Sequence, residues 1–344
     1  MAVNWSNIDP NRPVEPGDPM YVERPTSASA GVVTRLQRGA RVVLVTGPAG
    51  IGKSTELAHV GSKMQADYLP CLVQFDRAAS MRTVTPDDAL RLMVSALYRL
   101  SPGDSAGAHT LMSLTMSQFD LLLSRLRETT SSTGREVLFL LDGLEKSPAS
   151  VAQGVFALLG DLVDEASFVV VVPWFATYGG LSQAVIHPSE KVAHLRPVTV
   201  EGEGATAGKN FLLKLLAQRI RGAVPTAAAL KIIKVATVVS GGVPRTFLQI
   251  MTDAASRAAY ERGEEWPNVD DLREAAEDMM DSYRRLLQQG DAAALKAVED
   301  TDGMEMELDR KLRLLTHGIL LEVEQGRQVK MRMHPLVRQL LSKV

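Results

Sequence analysis

One stretch of eight residues constrains this chain more than any other: Gly47-Pro48-Ala49-Gly50-Ile51-Gly52-Lys53-Ser54. It follows a run of β-branched residues, Arg41–Thr46, and precedes a segment of helical character from about Lys53 to Ala66. Glycines in a turn between a strand and a helix let the backbone aim N–H groups at phosphate oxygens, and the helix N-terminus favours the same anion. The spacing G-x-x-x-x-G-K-[ST] therefore predicts a phosphate cradle, with Lys53 at the β- and γ-phosphates and Ser54 beside a Mg²⁺ ion.

A second buried strand, Val137–Leu141, ends in the carboxylate of Asp142. A carboxylate in that position is suited to hold Mg²⁺ through its coordination shell. Glu145 follows three residues later and has two interpretations: it orients the attacking water, or it is a solvated loop glutamate. The predicted catalytic residues are Lys53, Asp142 and Glu145, and the predicted metal ligands are Ser54 and Asp142.

Strands and helices alternate over the first 200 residues, which predicts an α/β fold with a mostly parallel sheet covered by helices. Further strands are expected at Leu69–Phe75, Phe168–Val172 and Val192–Leu195. Further helices are expected at Thr26–Arg38, Pro86–Leu100, Ser117–Arg127 and Ser150–Leu162. The composition of Ser101–His109 is that of a surface loop.

The pattern changes near residue 200. Helical periodicity continues to about Val298, with breaks at Gly222–Pro225, Gly241–Pro244 and Gly263–Pro267. The last segment has the order helix, strand, turn, strand, helix, which is typical of a winged-helix domain; its strands are expected at Ile319–Glu324 and Gln328–Met333. The expected domains are an irregular arm (1–20), a P-loop ATPase domain (21–200), a helical lid domain (201–300) and a winged helix (301–344).

Composition narrows the class of protein further. Hydrophobic residues make up 45% and charged residues 23% of the chain, as in ordinary globular proteins. The net charge of −2 gives no global positive field toward nucleic acid or membrane. The single cysteine, Cys71, lies in an apolar run, so neither a disulfide framework nor a cysteine zinc site can form. No signal-peptide pattern and no apolar run of ~20 residues occurs, and a cytoplasmic location is expected.

Together these motifs resemble the STAND class of P-loop signalling ATPases, whose cores are of the AP-ATPase or NACHT type. Asp142-Gly143-Leu144-Glu145 is similar to the extended Walker B motif of that class. Gly242-Val243-Pro244 resembles its G-x-P motif, whose proline packs against adenine. Met333-His334-Pro335-Leu336 resembles its Met-His-Asp motif, whose histidine contacts the β-phosphate of ADP. Tyr21–Pro25 resembles the segment along the adenine, and the strand 69–75 between the two Walker motifs resembles the additional-strand class of P-loop ATPases.

Each of the three short motifs also has a plain structural interpretation. Pro244 is suited to begin a helix, His334 to be a partly buried structural histidine, and Tyr21 to anchor the arm. The sequence also departs from the class at two places. Pro335 stands where the class has aspartate, and Pro173–Lys191 contains no arginine, so slow hydrolysis is expected.

Arg245, directly after Pro244, is a candidate sensor of the γ-phosphate. The form Gly-Gly-x-Pro-Arg also resembles the origin-recognition branch of the AAA+ ATPases. The resemblances imply ATP/ADP and Mg²⁺ as ligands. The nucleotide-binding residues that they and the phosphate cradle imply are Tyr21, Val22, Arg24, Gly47, Pro48, Ala49, Gly50, Ile51, Gly52, Lys53, Ser54, Thr55, Pro244, Arg245 and His334.

Two functions agree with these features. The first is a nucleotide-dependent switch or assembly platform of a signalling or defence system, closed with ADP and open with ATP. Its sensor and effector parts would come from partner chains, or the chain is a piece of a longer protein, and ATP binding would produce a homo-oligomer. The second is an AAA+ loader that contacts DNA through its winged helix. Arg327, Lys330 and Arg332 are basic residues of the hairpin, and the carboxylates of Glu322 and Glu324 on the partner strand dilute their field.

Overall fold

A computed structural model describes residues 3, 5, 8–14, 17–25, 28–78, 80–100, 117–178, 192–220, 225–326 and 328–343. The loop predicted at Ser101–His109 lies outside the described residues. The chain forms two compact units. We call residues 28–46 and 53–194 the sheet unit, and residues 1–27, 47–52 and 195–344 the helical unit.

A parallel sheet organises the sheet unit. In the described part of the chain its five strands are β1 (Val42–Thr46), β2 (Tyr68–Gln74), β3 (Glu136–Asp142), β4 (Ser167–Val171) and β5 (Ala193–His194), in the spatial order β2-β3-β4-β1-β5. The predicted α/β P-loop fold is confirmed. In space, β4 lies between β1 and β3. Strand β2 lies between the Gly47–Ser54 and Asp142 motifs in sequence, but it is at the edge of the sheet.

Helices of the sheet unit supply apolar residues at helical spacing. They are α1 (Ala28–Gln37), α2 (Lys53–Met64), α3 (Phe75–Ala78), α4 (Pro86–Leu100), α5 (Gln118–Thr133), α6 (Ala149–Leu162) and α7 (Trp174–Tyr178). On α4 the buried residues Leu90, Met93, Val94 and Leu97 follow the 3.6-residue period of an amphipathic helix. Under these helices the sheet is mostly apolar, and the rings of Phe139 and Phe168 stack at 5.6 Å between centroids. Cys71 belongs to this core, where burial raises the pKa of its thiol to about 12.

The helical unit contains the second half of the chain. Its elements are α8 (Ala205–Arg219), α9 (Ala227–Val239), α10 (Pro244–Arg257), a π-helical turn (Ala258–Arg262), α11 (Val269–Leu286), α12 (Asp291–Thr301), α13 (Leu308–Thr316), β6 (Leu320–Gln325), β7 (Gln328–Met333) and α14 (Pro335–Ser342). The breaks predicted at 241–244 and 263–267 are confirmed. The break predicted at 222–225 lies largely outside the described residues. A further break at 287–290, which ends in Gly290 with φ +85°, was not predicted.

A shared core joins the helices of this unit to its two chain ends. Phe247 and Met251 of α10 pack with Leu336 of α14 and with Ile8 of the N-terminal arm. The arm is also fixed by Trp5, whose indole N–H donates to the carbonyl of Glu265 at 2.9 Å. The predicted hairpin is present as antiparallel β6 and β7. The winged-helix assignment and the domain boundary at residue 300 stay predictions.

None of the helices in the described ranges is long and apolar enough to cross a membrane.

Candidate nucleotide-binding site

The phosphate-cradle segment adopts the backbone that its glycines were expected to allow. Gly50 and Gly52 have φ of +76° and +98°, values that side-chain-bearing residues rarely adopt. Ile51 is fully buried, and its N–H donates to the carbonyl of Pro48 at 3.4 Å. Helix α2 then begins at Lys53, so Lys53, Ser54 and Thr55 form its first turn. This is the strand–turn–helix arrangement that presents backbone N–H groups to an anion.

The sheet unit brings the predicted catalytic residues together. Lys53 Nζ lies 3.7 Å from Glu145 Oε1, and the two side chains are only 8% and 18% exposed. Asp142, 5% exposed, is the last residue of β3, and the hydroxyl of Ser54 is hydrogen-bonded to its carboxylate. Glu145 lies in a short 3₁₀ turn, Leu144–Lys146, directly after that strand. The sequence-predicted set of one lysine, one hydroxyl and two carboxylates is therefore a real cluster.

The electrostatics of this cluster favour a cation. Burial, then the charge of Glu145, raises the pKa of Asp142, while the Ser54 hydrogen bond and the Lys53 charge oppose the rise. Among the described residues, Asp142 Oδ1 and Glu145 Oε2 are buried oxygens without a hydrogen-bond partner. An uncompensated carboxylate oxygen is costly to bury, and a divalent ion would compensate it. The residues present therefore fit Mg²⁺.

The donor set also suits Mg²⁺ rather than a transition metal. No group of three or more His, Cys, Asp or Glu side chains that could hold a metal ion occurs in the described ranges. Mg²⁺ usually takes one or two protein ligands and completes its shell with water and substrate phosphates. One hydroxyl and one carboxylate, Ser54 and Asp142, meet that requirement.

Asp76 is a member of this cluster that sequence reasoning missed. Its carboxylate pairs with Lys146 and contributes to the raised pKa of Asp142. A Cβ built on Gly143, whose φ is +99°, would lie 3.0 Å from the backbone nitrogen of Asp76. The register of β2 and β3 pairs Gln74 with Asp142, so the segment after β2 meets the segment after β3. The position of Asp76 just after a buried strand was the available signal.

Arg24 has backbone contacts that its motif did not predict. This buried guanidinium donates to the carbonyl of Ile51 at 2.6 Å and to the carbonyl of Arg196 at 2.5 Å, and lies 5.8 Å from the ring of Phe211. Arg24 thus holds the backbone of the phosphate cradle. Of its neighbours, Val22 packs against the core of the helical unit, and the N–H of Tyr21 donates to the carbonyl of Asp18. Contacts of these three residues with adenine stay predictions.

Helix α10 reaches the same cradle segment. Pro244 is the first residue of that helix, which agrees with the interpretation that this proline begins a helix. The N–H of Arg245 donates to the carbonyl of Gly50 at 3.2 Å, and a Cβ on Gly50 would lie 2.7 Å from Cβ of Arg245. Glycine is therefore required at position 50 both for its φ and for this close approach. Whether Pro244 packs on adenine and Arg245 senses phosphate stays a prediction.

His334 is completely buried at the start of α14. Its Nδ1 accepts the N–H of Leu336 at 3.2 Å, so the proton of the neutral ring is on Nε2. Burial lowers the pKa of His334 to about 4, and the backbone of Ser240 partly opposes that shift. Its ring centroid lies 5.0 Å from that of Tyr283. The structure thus places His334 beside Ser240, just before the G-x-P motif Gly242–Pro244. The predicted contact of His334 with a β-phosphate stays a prediction.

An ion-pair group connects the hairpin to the segment before α8. Arg196 Nε lies 3.4 Å from Glu322 Oε2, and Arg196 Nη1 lies 3.1 Å from Glu324 Oε1. Glu322 is buried, so its charge is paired where it is poorly solvated. Since Arg24 binds the carbonyl of Arg196, polar contacts run from β6 through Arg196 and Arg24 to Ile51 of the cradle.

Comparison with known proteins agrees with this geometry. Residues 41–185 match the model of the NACHT domain family. A Walker-type ATPase of Pyrococcus abyssi is similar in structure, with a TM-score of 0.59 and 14% identity over 96% of this chain and 99% of that chain. The ORC1 protein of Aeropyrum pernix, solved in complex with DNA, has a TM-score of 0.50 and 17% identity over 95% of this chain and 94% of that chain. No curated protein matches the sequence.

At these identities the structural likeness establishes the fold alone. Residues 41–185 are similar to the NACHT domain, and the chain has a P-loop NTPase fold similar to those of the Walker-type ATPase and the ORC1 protein. The chain is a nucleotide-dependent P-loop ATPase.

Proposed function

We propose that the chain is a molecular switch or assembly platform of a signalling or defence system, closed when ADP is bound and open when ATP is bound. The observation that carries this proposal is the bonding of the cradle carbonyls of Gly50 and Ile51 to Arg245 and Arg24. Both partners belong to the helical unit, together with the hairpin and α14. A change in cradle geometry between the two nucleotides therefore changes contacts that hold this unit.

The side chains of the sheet unit have separate parts in hydrolysis. Lys53 would exchange its pairing with Glu145 for the β- and γ-phosphates, which frees the Glu145 carboxylate to orient a water molecule. Ser54 and Asp142 would hold Mg²⁺, which supplies charge neutralisation at the phosphates. Hydrolysis by the isolated chain is slow in this proposal, because Pro173–Lys191 offers no arginine and an arginine finger is worth about 10³–10⁵ in rate.

The closed state rests on the polar contacts between β6 and the cradle. Opening would separate Arg196 from Glu322 and Glu324, and breaking an ion pair of the buried Glu322 is unfavourable. ATP must therefore bind the open form more tightly than it binds the closed form, since a ligand shifts an equilibrium only by the difference in its affinity for the two states. Partner chains that carry the sensor and effector would bias the same equilibrium.

DNA loading is the second candidate function, and one observation favours keeping it. Because Glu322 and Glu324 pair with Arg196, they oppose the charges of Lys330 and Arg332 on β7 less than the sequence suggested. Arg327 lies outside the described residues. Binding to duplex DNA with an affinity that falls steeply with salt, by ~0.9 logarithmic units per phosphate contact for each tenfold rise in salt concentration, would support this function.

The switch is tested by amide hydrogen exchange of residues 320–342 with ADP and with a non-hydrolysable ATP analogue. We expect faster exchange with the ATP analogue, because the hairpin is released. The variant Lys53→Ala should bind neither nucleotide and show no difference, while Lys63→Ala, an exposed lysine of the same helix, should behave as the wild type. Identical exchange of the wild type in both nucleotides would contradict the switch and leave the ATPase assignment intact.

A further inference from the structure

Charge is distributed very unevenly within the helical unit. From Ala205 to Thr252 the sequence contains no aspartate or glutamate; its basic residues are Lys209, Lys214, Arg219, Arg221, Lys231, Lys234 and Arg245. The segment Glu299–Asp309 is the reverse, with no lysine or arginine and the acidic residues Glu299, Asp300, Asp302, Glu305, Glu307 and Asp309. The net charge of −2 therefore conceals two segments of opposite charge.

The basic segment forms an apolar groove between α8 and α9. Its volume is about 650 Å³, within the range of pockets that enclose a ligand. Leu213, Leu230, Ile233 and Val238 are its main apolar residues, and Lys209 and Lys234 lie beside them. Both lysines are exposed, and neither has a carboxylate within ion-pair distance among the described residues. The groove thus offers apolar surface flanked by two unneutralised positive charges.

The acidic segment has the complementary chemistry. Met304 is 82% exposed and Leu308 is 44% exposed, so both apolar side chains are available at the surface. They alternate with Glu305, Glu307 and Asp309, which are also exposed and have no ion-pair partner in the described ranges. Methionine is unbranched and polarisable, so it adapts to irregular apolar surfaces.

We propose that the α8–α9 groove binds the segment Met304–Asp309 of a second copy of this chain. Met304 and Leu308 enter the apolar groove, and the carboxylates of Glu305 and Glu307 pair with Lys209 and Lys234. Because the two surfaces differ, the contact is head-to-tail and continues to further copies until a ring or a linear chain forms. The inference rests on the proposed function only for its nucleotide dependence, and supplies the contact by which such a platform would assemble.

Sedimentation velocity of the full chain tests the contact, at low and high salt and with ADP or the ATP analogue. We expect wild-type self-association that weakens with salt, and association at least tenfold weaker in Lys209→Glu/Lys234→Glu. The matched control is Lys214→Glu/Lys231→Glu, which makes the same charge change on the same two helices but outside the groove. Met304→Ser, at an exposed position, should also weaken association without affecting the fold.

A charge exchange between two chains makes the test decisive. The variant Glu305→Lys/Glu307→Lys should be as monomeric as the groove variant when each is alone. Mixing the two should restore association, because the wild-type groove of one meets the wild-type segment of the other, and the two reversed surfaces also match. No rescue on mixing, or equal loss in the Lys214/Lys231 control, would overturn the proposal.

The remaining outcomes separate this inference from the proposed function. A wild-type chain that hydrolyses ATP but stays monomeric with both nucleotides overturns the contact and leaves the ATPase. Association through the groove that is equal with and without nucleotide overturns the switch and leaves the contact. Duplex DNA binding that depends on Lys209 and Lys234, without self-association, overturns the contact in favour of nucleic acid.

Discussion

At the scale of single residues, the buried charges after β3 determine what the site can do. Asp142, Glu145 and Lys53 are all largely buried, and Glu145 lies 3.7 Å from the Nζ of Lys53. Like charges so placed disfavour joint ionisation, which is why the charge of Glu145 adds to the raised pKa of Asp142. The two interpretations of Glu145 from the sequence, water-orienting residue or solvated loop residue, now differ in a measurable way because the side chain is not solvated.

Glu145→Gln should separate metal binding from hydrolysis. Removing the negative charge lowers the pKa of Asp142, so Mg²⁺-dependent ADP binding should persist to lower pH than in the wild type. A proton on Asp142 competes with Mg²⁺ for the carboxylate. The pH below which Mg²⁺-dependent binding is lost should therefore fall together with the pKa of Asp142. Hydrolysis should slow by about 10²-fold or more, as expected when a water-orienting group is lost.

The measurement is a pH series of fluorescent ADP binding with and without Mg²⁺, together with steady-state hydrolysis. Glu128→Gln, an exposed carboxylate of α5, is the control and should change neither quantity. An unchanged hydrolysis rate in Glu145→Gln would show that Glu145 does not orient the attacking water and has only a structural role.

The site residues that the sequence could indicate are those whose positions are encoded in local spacing. Gly47–Ser54 and Asp142 fall where a strand ends, and the strand pattern alone locates them. Arg24 and Asp76 are different, because their contacts depend on which distant segments meet. The bond from Arg24 to Ile51 joins residues 27 positions apart, and no periodicity indicates it.

At the scale of elements, most regular helices and strands were predictable to within a few residues, whereas the helix predicted at Ser117–Arg127 continues to Thr133. Pro86–Leu100 and Gln328–Met333 have the predicted bounds, because their apolar periodicity is uninterrupted. The break at 287–290 was missed because Leu287, Gln288 and Gln289 are all good helix formers. The spatial neighbour of β1 was not evident either, since strand order depends on crossover connections rather than on the strands' own residues.

The break before α10 is fixed by a glycine that no other residue can replace. Gly242 has φ of +76°, and a Cβ at this position would lie 2.0 Å from the carbonyl oxygen of Val198, whose N–H donates to the carbonyl of Gly242 at 3.1 Å. Gly263, at the next predicted break, has a similar φ of +65° but open space around it. The two positions therefore differ in packing while sharing the left-handed backbone.

Gly242→Ala should be much more destabilising than Gly263→Ala. The strain of a left-handed backbone costs about 1–2 kcal/mol in either variant. Gly242→Ala must also displace the backbone at Val198, which should raise the loss to more than about 3 kcal/mol. Urea unfolding of both variants measures the difference, and equal midpoints would show that the segment around Val198 moves freely.

At the scale of the whole molecule, the central question is whether the nucleotide controls the C-terminal segment. The helical unit contains residues 47–52 of the cradle, α10 and α14, so one compact unit includes both the loop for phosphate and the histidine implied to sense it. His334 caps α14 and lies beside Ser240, which introduces the turn before Pro244. Its complete burial agrees with a structural role and with a role in a closed ADP state, and substitution distinguishes them.

His334→Asn is the variant that makes this distinction. Asparagine keeps an acceptor for the N–H of Leu336 at the helix start, so the cap survives while the imidazole is lost. The wild type should lose stability as pH falls from about 6.5 to 4, because the unfolded imidazole binds a proton that the buried one, with its pKa lowered to about 4, does not. The variant should lack this dependence, which amounts to at most about 3 kcal/mol.

The nucleotide measurement addresses the switch itself. If the imidazole N–H bonds a β-phosphate in the closed state, its loss costs about 1.5–3 kcal/mol, or roughly ten- to a hundredfold in ADP affinity. ATP bound to the open form does not use this bond, so its affinity should change less. Calorimetric titration of ADP and ATP into His334→Asn and His334→Ala compares the two nucleotides directly. A smaller loss for ATP in both variants supports a switch governed by His334. A matched loss for both nucleotides, with the pH dependence of stability removed as expected, would show a histidine that only holds α14 in place.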